Sequence, residues 1–246
     1  MTWFRCAETR PWASLRLFCF PHAGGSAVAY RSWAKETSTA VEVHAVQYPG
    51  RADRLTEPLV DDAHRLARLV AGAMAPLMDR PAALFGHSMG AVVAYETARL
   101  LEDRGLPPVH LFASGARPPH RRDVRDEDRV AGRDDDGVVA ALTRLGGSDA
   151  EVLADPEMRE LVLPYVRNDF RLIEEYEPRP GPALKAPVTA LIGDADPHVD
   201  EERAAEWAAV TDGPFRLAVL PGGHFYLVER QADVLAEIHR ALHVPR

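Results

Sequence analysis

Short apolar runs of four to six residues alternate along the chain with longer stretches in which apolar positions recur every three or four residues. The runs Leu15–Phe20, Val41–Val46, Ala82–Phe85, Val109–Ala113, Val188–Ile192 and Phe215–Leu220 predict strands buried on both faces. Helical spacing predicts helices over Ala27–Glu36, Asp62–Met78, Met89–Asp103, Glu201–Val210 and Arg230–Leu242. Regular alternation of the two implies a mostly parallel sheet with helices on each side, an α/β architecture. No internal repeat is visible.

One region breaks the alternation. Between residues 117 and 182 no strand is predicted, and a charged stretch containing prolines leads into two helical patterns. Gly137–Leu145 is the first. The second opens at Asp155-Pro156, an N-cap residue followed by a first-turn proline. It carries Met158, Leu161, Val162, Tyr165, Val166, Phe170 and Ile173 at three- and four-residue steps, with Pro164 expected to kink it. Residues 1–246 are therefore expected to form one domain, with 117–182 inserted as a helical lid. The plainer alternative is a helical subdomain packed on the core.

The sharpest chemical signal is Phe85-Gly-His-Ser-Met-Gly-Ala91, set between a predicted strand and a predicted helix. A G-x-S-x-G sequence in that context is the nucleophile elbow of α/β-hydrolases, which lifts a serine above the sheet on a strained turn. The pattern alone arises by chance about once in ten chains of this length, at ordinary glycine and serine frequencies. Its strand–turn–helix context raises its specificity. Ser88 is then the candidate nucleophile, and the Met89 N–H at the helix start can face an oxyanion.

A serine nucleophile needs a base, and the base an orienting carboxylate, in the chain order Ser, acid, His. His224, in the Gly-rich turn Pro221-Gly-Gly-His-Phe225 after the last predicted strand, is the candidate base. His239 and His243 fall on the C-terminal helix and are expected at the surface; His110 opens a strand and His120 sits in a charged loop. Gly193-Asp194-Ala195-Asp196-Pro197 offers two acids. Asp196 is favoured, because Pro197 holds the chain extended there, and Asp194 is the alternative, as a turn residue. His198 is too near Asp196 in sequence to be its partner. The early loop Phe20-Pro-His-Ala-Gly-Gly-Ser26 supplies a second oxyanion donor, with Ala23 N–H the candidate, His22 a loop-shaping hydrogen bonder and Ser26 a helix cap.

Composition narrows the class. The 246 residues are 46% hydrophobic, enough for a full core, and the net charge of −8 argues against nucleic-acid binding. Cys6 and Cys19 are the two cysteines, without metal-ligand spacing, so no metal site is expected and a reducing, cytoplasmic setting fits. Cys19, in an apolar run, reads as a core residue. No stretch is long enough to span a membrane, and the first residues lack the apolar core of a signal peptide.

Taken together, these segments resemble a family. The order LFCFPHAGGSA (Leu17–Ala27), Tyr48-Pro-Gly-Arg51, FGHSMGA (Phe85–Ala91), GDADP (Gly193–Pro197) and PGGHF (Pro221–Phe225) is similar to the type II thioesterases that work beside polyketide and nonribosomal peptide synthases. The opening FPHAGGSA with the later YPGR separates it from lipases, esterases and peptidases of the α/β-hydrolase fold. The resemblance implies hydrolysis of acyl groups from the phosphopantetheine arm of acyl or peptidyl carrier domains, clearing misprimed or stalled units. It also implies a Ser88–Asp196–His224 triad, and a lid over the pantetheine entrance. No cofactor is expected beyond the phosphopantetheine that the substrate brings, and the chain is expected to act as a monomer. The lid residues Met158, Leu161, Val162, Tyr165 and Phe170 are expected to roof the acyl channel. Carrier domains present an acidic face in these systems, which makes Arg117, Arg121, Arg122 and Arg125 a candidate docking patch. A solvated charged loop is an equal reading, since Asp123, Asp126, Glu127 and Asp128 are interspersed. Two further functions stand beside editing: a product-releasing thioesterase or small-ester esterase, and a carrier-binding protein without turnover.

Overall fold

The computed structural model describes residues 3–121, 129–146, 153 and 155–245. Its centre is a seven-stranded sheet in the order β1-β3-β2-β4-β5-β6-β7. The strands are β1 (Phe4–Arg5), β2 (Leu15–Phe20), β3 (Val41–Val46), β4 (Ala82–His87), β5 (His110–Ser114), β6 (Val188–Gly193) and β7 (Phe215–Leu220). All neighbouring pairs run parallel except β1 with β3. Six of the seven strands match the apolar runs of the sequence. The missed one, β1, has two residues, too few to carry a period; Phe4 earns its place by packing edge-on against Phe18 at 5.1 Å.

The helices are α1 (Trp33–Glu36), α2 (Ala63–Met74), α3 (Met89–Asp103), α4 (Asp135–Leu145), α5 (Pro156–Glu174), α6 (Glu201–Ala205), α7 (Tyr226–Glu229) and α8 (Gln231–Ala241). Three predicted helices are shorter than expected. Ala27–Tyr30 and Glu206–Val210 are 3-10 turns flanking α1 and α6, and the end of the Asp62–Met78 stretch becomes a 3-10 turn containing Pro76.

Side-chain alternation on the strands builds two cores. Phe18, Phe20, Leu84 and Leu111 face α2 and α3, joining Leu66, Val70, Val93 and Ala98. Leu17, Cys19, Ala83, Phe85 and Phe112 face the other way and pack with Trp33 of α1 and Val234, Leu235 and Ile238 of α8. Cys19 is fully buried, as its apolar run implied.

Between β5 and β6 lie α4 and α5, with no strand among the described residues. Asp134 caps α4 by accepting from Gly137 N at 2.8 Å, and Asp155 caps α5 through Glu157 N at 2.9 Å. Pro164 lies on an exposed position of α5, and the helix is continuous through it. The two helices share a core of their own around Val138, Leu142, Val162, Leu163 and Val166, while Leu172 of α5 joins the main core. Among the described residues no helix is long and apolar enough to cross a membrane.

Candidate active site

Ser88 sits between β4 and α3 with φ 54° and ψ −121°, a left-handed conformation that serine tolerates only under constraint. Its N–H is tied to Ser114 O at 2.8 Å. A Cβ on Gly86 would stand 2.2 Å from Gly90 O, and one on Gly90 would stand 2.1 Å from Phe20 O. Only glycine fits either place, which is the steric reason for the spacing around Ser88.

The β6–α6 and β7–α7 loops are stitched together. Asp194 N donates to Leu220 O at 2.9 Å, Ala195 N to Gly222 O at 3.0 Å, and Gly222 N to Asp194 Oδ1 at 2.9 Å. Asp194 is thus an exposed turn residue. The side chain of Asp196 is fully buried: Oδ1 accepts from His198 N at 2.9 Å, and Oδ2 lies 2.8 Å from His224 Nδ1. With Nδ1–H donated to the carboxylate, the other ring nitrogen of His224 carries the lone pair a general base needs. Ser88, Met89, Gly115, Phe170, His198 and His224 line one cavity of about 370 Å³. His198 contacts Asp196 through its backbone, and its ring packs edge-on to that of His224 at 5.6 Å.

Two further histidines adjoin this centre. Burial holds His87 well below the usual imidazole range, with His224 and His22 adding to the effect. His22 is pushed down to about 4 by desolvation, then by His224 and Arg51. Both are neutral at ordinary pH, so neither adds positive charge beside His224. His22 packs edge-on to Phe225 at 4.8 Å, a filler of the loop rather than a second base. His87 Nδ1 meets Ser114 Oγ at 2.9 Å, which in turn meets Tyr226 OH at 2.7 Å.

The loop after β2 folds back on itself through Gly25 N to His22 O at 2.9 Å, and Gly24 takes φ +79°. Ala23 lies in this loop beside Gly24. Ser26 precedes the 3-10 turn as expected, but its side chain makes no capping bond.

The lid residues distribute differently from the expected roof. Phe170 lines the cavity, whereas Val162 is buried between α4 and α5, and the Tyr165 ring lies under the Arg51 guanidinium at 4.7 Å. Met158 and Leu161 are solvent-exposed on the outer face of α5. The stripe of α5 is shared among α4, the cavity and the Arg51 guanidinium, and periodicity does not say which neighbour takes which residue. Arg117 and Arg121 both border the cavity; Arg117 Nε donates to His198 O at 2.9 Å, and Arg121 pairs with Glu206. Arg122 and Arg125 lie outside the described residues. His239, expected at the surface, is buried and accepts from Ser38 N at 3.2 Å, because α8 packs it against the loop before β3.

Residues 15–242 match the family model described as the thioesterase domain. Over 244 residues the chain is 44% identical to the probable cadicidin biosynthesis thioesterase of Streptomyces griseus, covering 99% of this chain and 67% of that protein. It is 42% identical to thioesterase PikA5 of Streptomyces venezuelae, covering 99% of this chain and 86% of the relative. The type II thioesterase BorB from the borrelidin biosynthetic cluster superposes with a TM-score of 0.90 at 40% identity, over 98% of this chain and 97% of that one. This chain belongs to the type II thioesterase family.

In this thioesterase, one pair near the site escaped the sequence reading. Asp169 of α5 and Arg51, each 2% exposed, form a bidentate ion pair, with Arg51 Nη2 to Asp169 Oδ1 at 2.7 Å. Asp169 falls on the apolar stripe of α5 between Val166 and Leu172, and a charge on a buried stripe signals a buried partner. Elsewhere, Cys6, Glu42 and His44 come within metal-ligand spacing on the β1–β3 side of the sheet. Glu42 is already engaged there by Arg10 N, Arg16 Nε and His44 Nε2, so the group reads as a closed polar network.

Proposed function

We propose that this thioesterase hydrolyses acyl groups from the phosphopantetheine arm of acyl or peptidyl carrier domains, removing misprimed or stalled units from a polyketide or nonribosomal peptide synthase. The observation that carries the reading is the buried Asp196–His224 pair opening on the same cavity as the strained Ser88. His224 Nε2 takes the proton of Ser88 Oγ as the oxygen attacks the thioester carbonyl. The carbonyl oxygen becomes an oxyanion, held by the N–H groups of Met89 and Ala23. As the C–S bond breaks, the His224 imidazolium returns its proton to the departing pantetheine sulfur. Water then attacks the acyl-Ser88 ester, with His224 taking its proton, and as the C–Oγ bond breaks the His224 imidazolium returns that proton to Ser88 Oγ, which frees the carboxylic acid. Asp196 keeps the Nδ1–H tautomer throughout.

The segment 117–182 acts as the lid of this site, and Phe170 and Ile173 give the cavity an apolar wall. One methylene in such a wall is worth only about 1–3 kcal/mol of discrimination, which suits an enzyme that must accept varied short acyl chains. The test is a panel of carrier domains loaded with short, long and cyclic acyl groups. Comparable turnover of several short chains is expected. Selective release of one long or cyclic chain would identify a product-releasing enzyme, preference for oxygen esters a small-ester esterase, and stoichiometric carrier binding without turnover a binding protein.

A further inference from the structure

Asp169 belongs to the lid helix, yet its carboxylate is bonded to the loop after β2. Its Oδ2 accepts from Gly24 N at 2.8 Å as well as from Arg51 Nη1. Arg51 Nη1 also donates to Gly25 O at 3.2 Å, and the guanidinium is flanked by the rings of Tyr48 at 5.4 Å and Tyr165 at 4.7 Å. The contact is steric too, since a Cβ on Gly24 would stand 3.1 Å from Val166 Cγ2 of the same helix. Three separated segments therefore converge on one buried charge pair: the loop carrying Ala23, the loop carrying Arg51, and α5.

Gly24 N–H is spent on Asp169 and is not available to a substrate. Its partner fixes the peptide that follows Ala23, and a glycine at φ +79° has no side chain to hold it otherwise. We infer that Asp169, held by Arg51, is a positioning residue that seats the oxyanion loop against the lid helix, so that the Ala23 N–H is aimed only while α5 is docked. The inference rests on the proposed thioesterase mechanism, in which Ala23 N–H is an oxyanion donor. It follows that α5 is the fixed wall of the site, because lifting it would separate a desolvated ion pair.

Two double variants isolate the bond to Gly24 without leaving a lone buried charge. Arg51→Met with Asp169→Asn keeps an acceptor for Gly24 N–H, and Arg51→Met with Asp169→Leu removes it; Arg51→Met with Asp169→Ala replaces the latter if leucine does not fit. Turnover of a short acyl-pantetheine thioester is expected to fall at least about tenfold further in kcat, with little change in KM, when the acceptor is lost, since one oxyanion donor is worth about 100- to 1000-fold. Affinity for a trifluoromethyl ketone that adds to Ser88 should fall in parallel, while a non-reacting thioether analogue binds equally to both variants. Faster exchange of the Gly24 amide in the leucine variant, read by NMR, is expected whatever the substrate. Equal kcat in the two folded variants, or unchanged Gly24 exchange, would overturn the inference. A parent protein that turns over no thioester would instead overturn the proposed function, with the exchange result standing.

Discussion

Asp196→Asn is the substitution that bears most directly on the proposed chemistry. The carboxylate has two fixed duties, accepting from His198 N on Oδ1 and facing His224 Nδ1 with Oδ2. An asparagine has one acceptor and one donor end. The His198 N–H can only donate, so the amide oxygen must turn to it, leaving the NH2 group against His224 Nδ1. That ring nitrogen then becomes the acceptor, the proton moves to Nε2, and the base can no longer take the proton of Ser88. The geometry survives while the tautomer inverts. In serine hydrolases this inversion lowers kcat about 10⁴-fold, equivalent to about 5.4 kcal/mol of transition-state stabilisation. Among the described residues the neighbouring Asp194 side chain accepts from Gly222 N at the exposed turn, so Asp194→Asn should stay within a factor of about three in kcat, corresponding to no more than about 0.65 kcal/mol. The assay is steady-state hydrolysis of an acyl-pantetheine thioester at pH 7.5, with thermal denaturation to establish that both variants are folded. A folded Asp196→Asn enzyme with kcat within tenfold of the parent would refute the tautomer argument. The reverse order of the two variants would move the acid to Asp194.

Further outcomes follow from the same geometry. Ser88→Gly relieves a φ of 54° that Ser88→Ala retains, so the glycine variant should melt higher, by about 1 kcal/mol once glycine's greater unfolded-state entropy is subtracted from about 1–3 kcal/mol of strain; equal melting temperatures would mean that the elbow is unstrained. Gly90→Ala should give little folded protein, because its Cβ would meet the Phe20 carbonyl at 2.1 Å, and a soluble, active variant recovered in normal yield would contradict this. Burial lowers His110 to about 4, so the folded state resists a proton that the unfolded chain takes up near 6.5; stability is full above about 6.5 and declines as pH falls towards 4. Urea melts of His110→Gln should therefore show a slope shallower than the parent's by up to about 1.4 kcal/mol per pH unit in that window, and identical slopes would exclude His110 as a contributor. Charge reversal at Arg121 and Arg122 should raise KM for acyl-carrier substrates and spare a small acyl-pantetheine mimic; equal effects on both substrates would remove this loop from the docking site.

The strand runs and the elbow were legible in the sequence because each is dictated locally. A strand buried on both faces is predominantly apolar, as β2, β4 and β6 are apart from Arg16, His87 and Thr189, and a serine turn this tight admits only glycine at Gly86 and Gly90. His224 and Asp196 could be named from their places after strands, since in a parallel sheet successive strand ends lie side by side. Local pattern was silent wherever the deciding neighbour is distant in the chain. β1 is held by a partner about forty residues on, His239 is buried by the loop before β3, and the stripe of α5 is divided among α4, the main core and the Arg51 guanidinium. A periodicity specifies that a face is buried; which surface buries it is settled only when the elements pack. The Asp169–Arg51 pair is the clearest case: its charges, 118 residues apart, are tolerable only in each other's company, and only the folded chain supplies that company at the oxyanion loop.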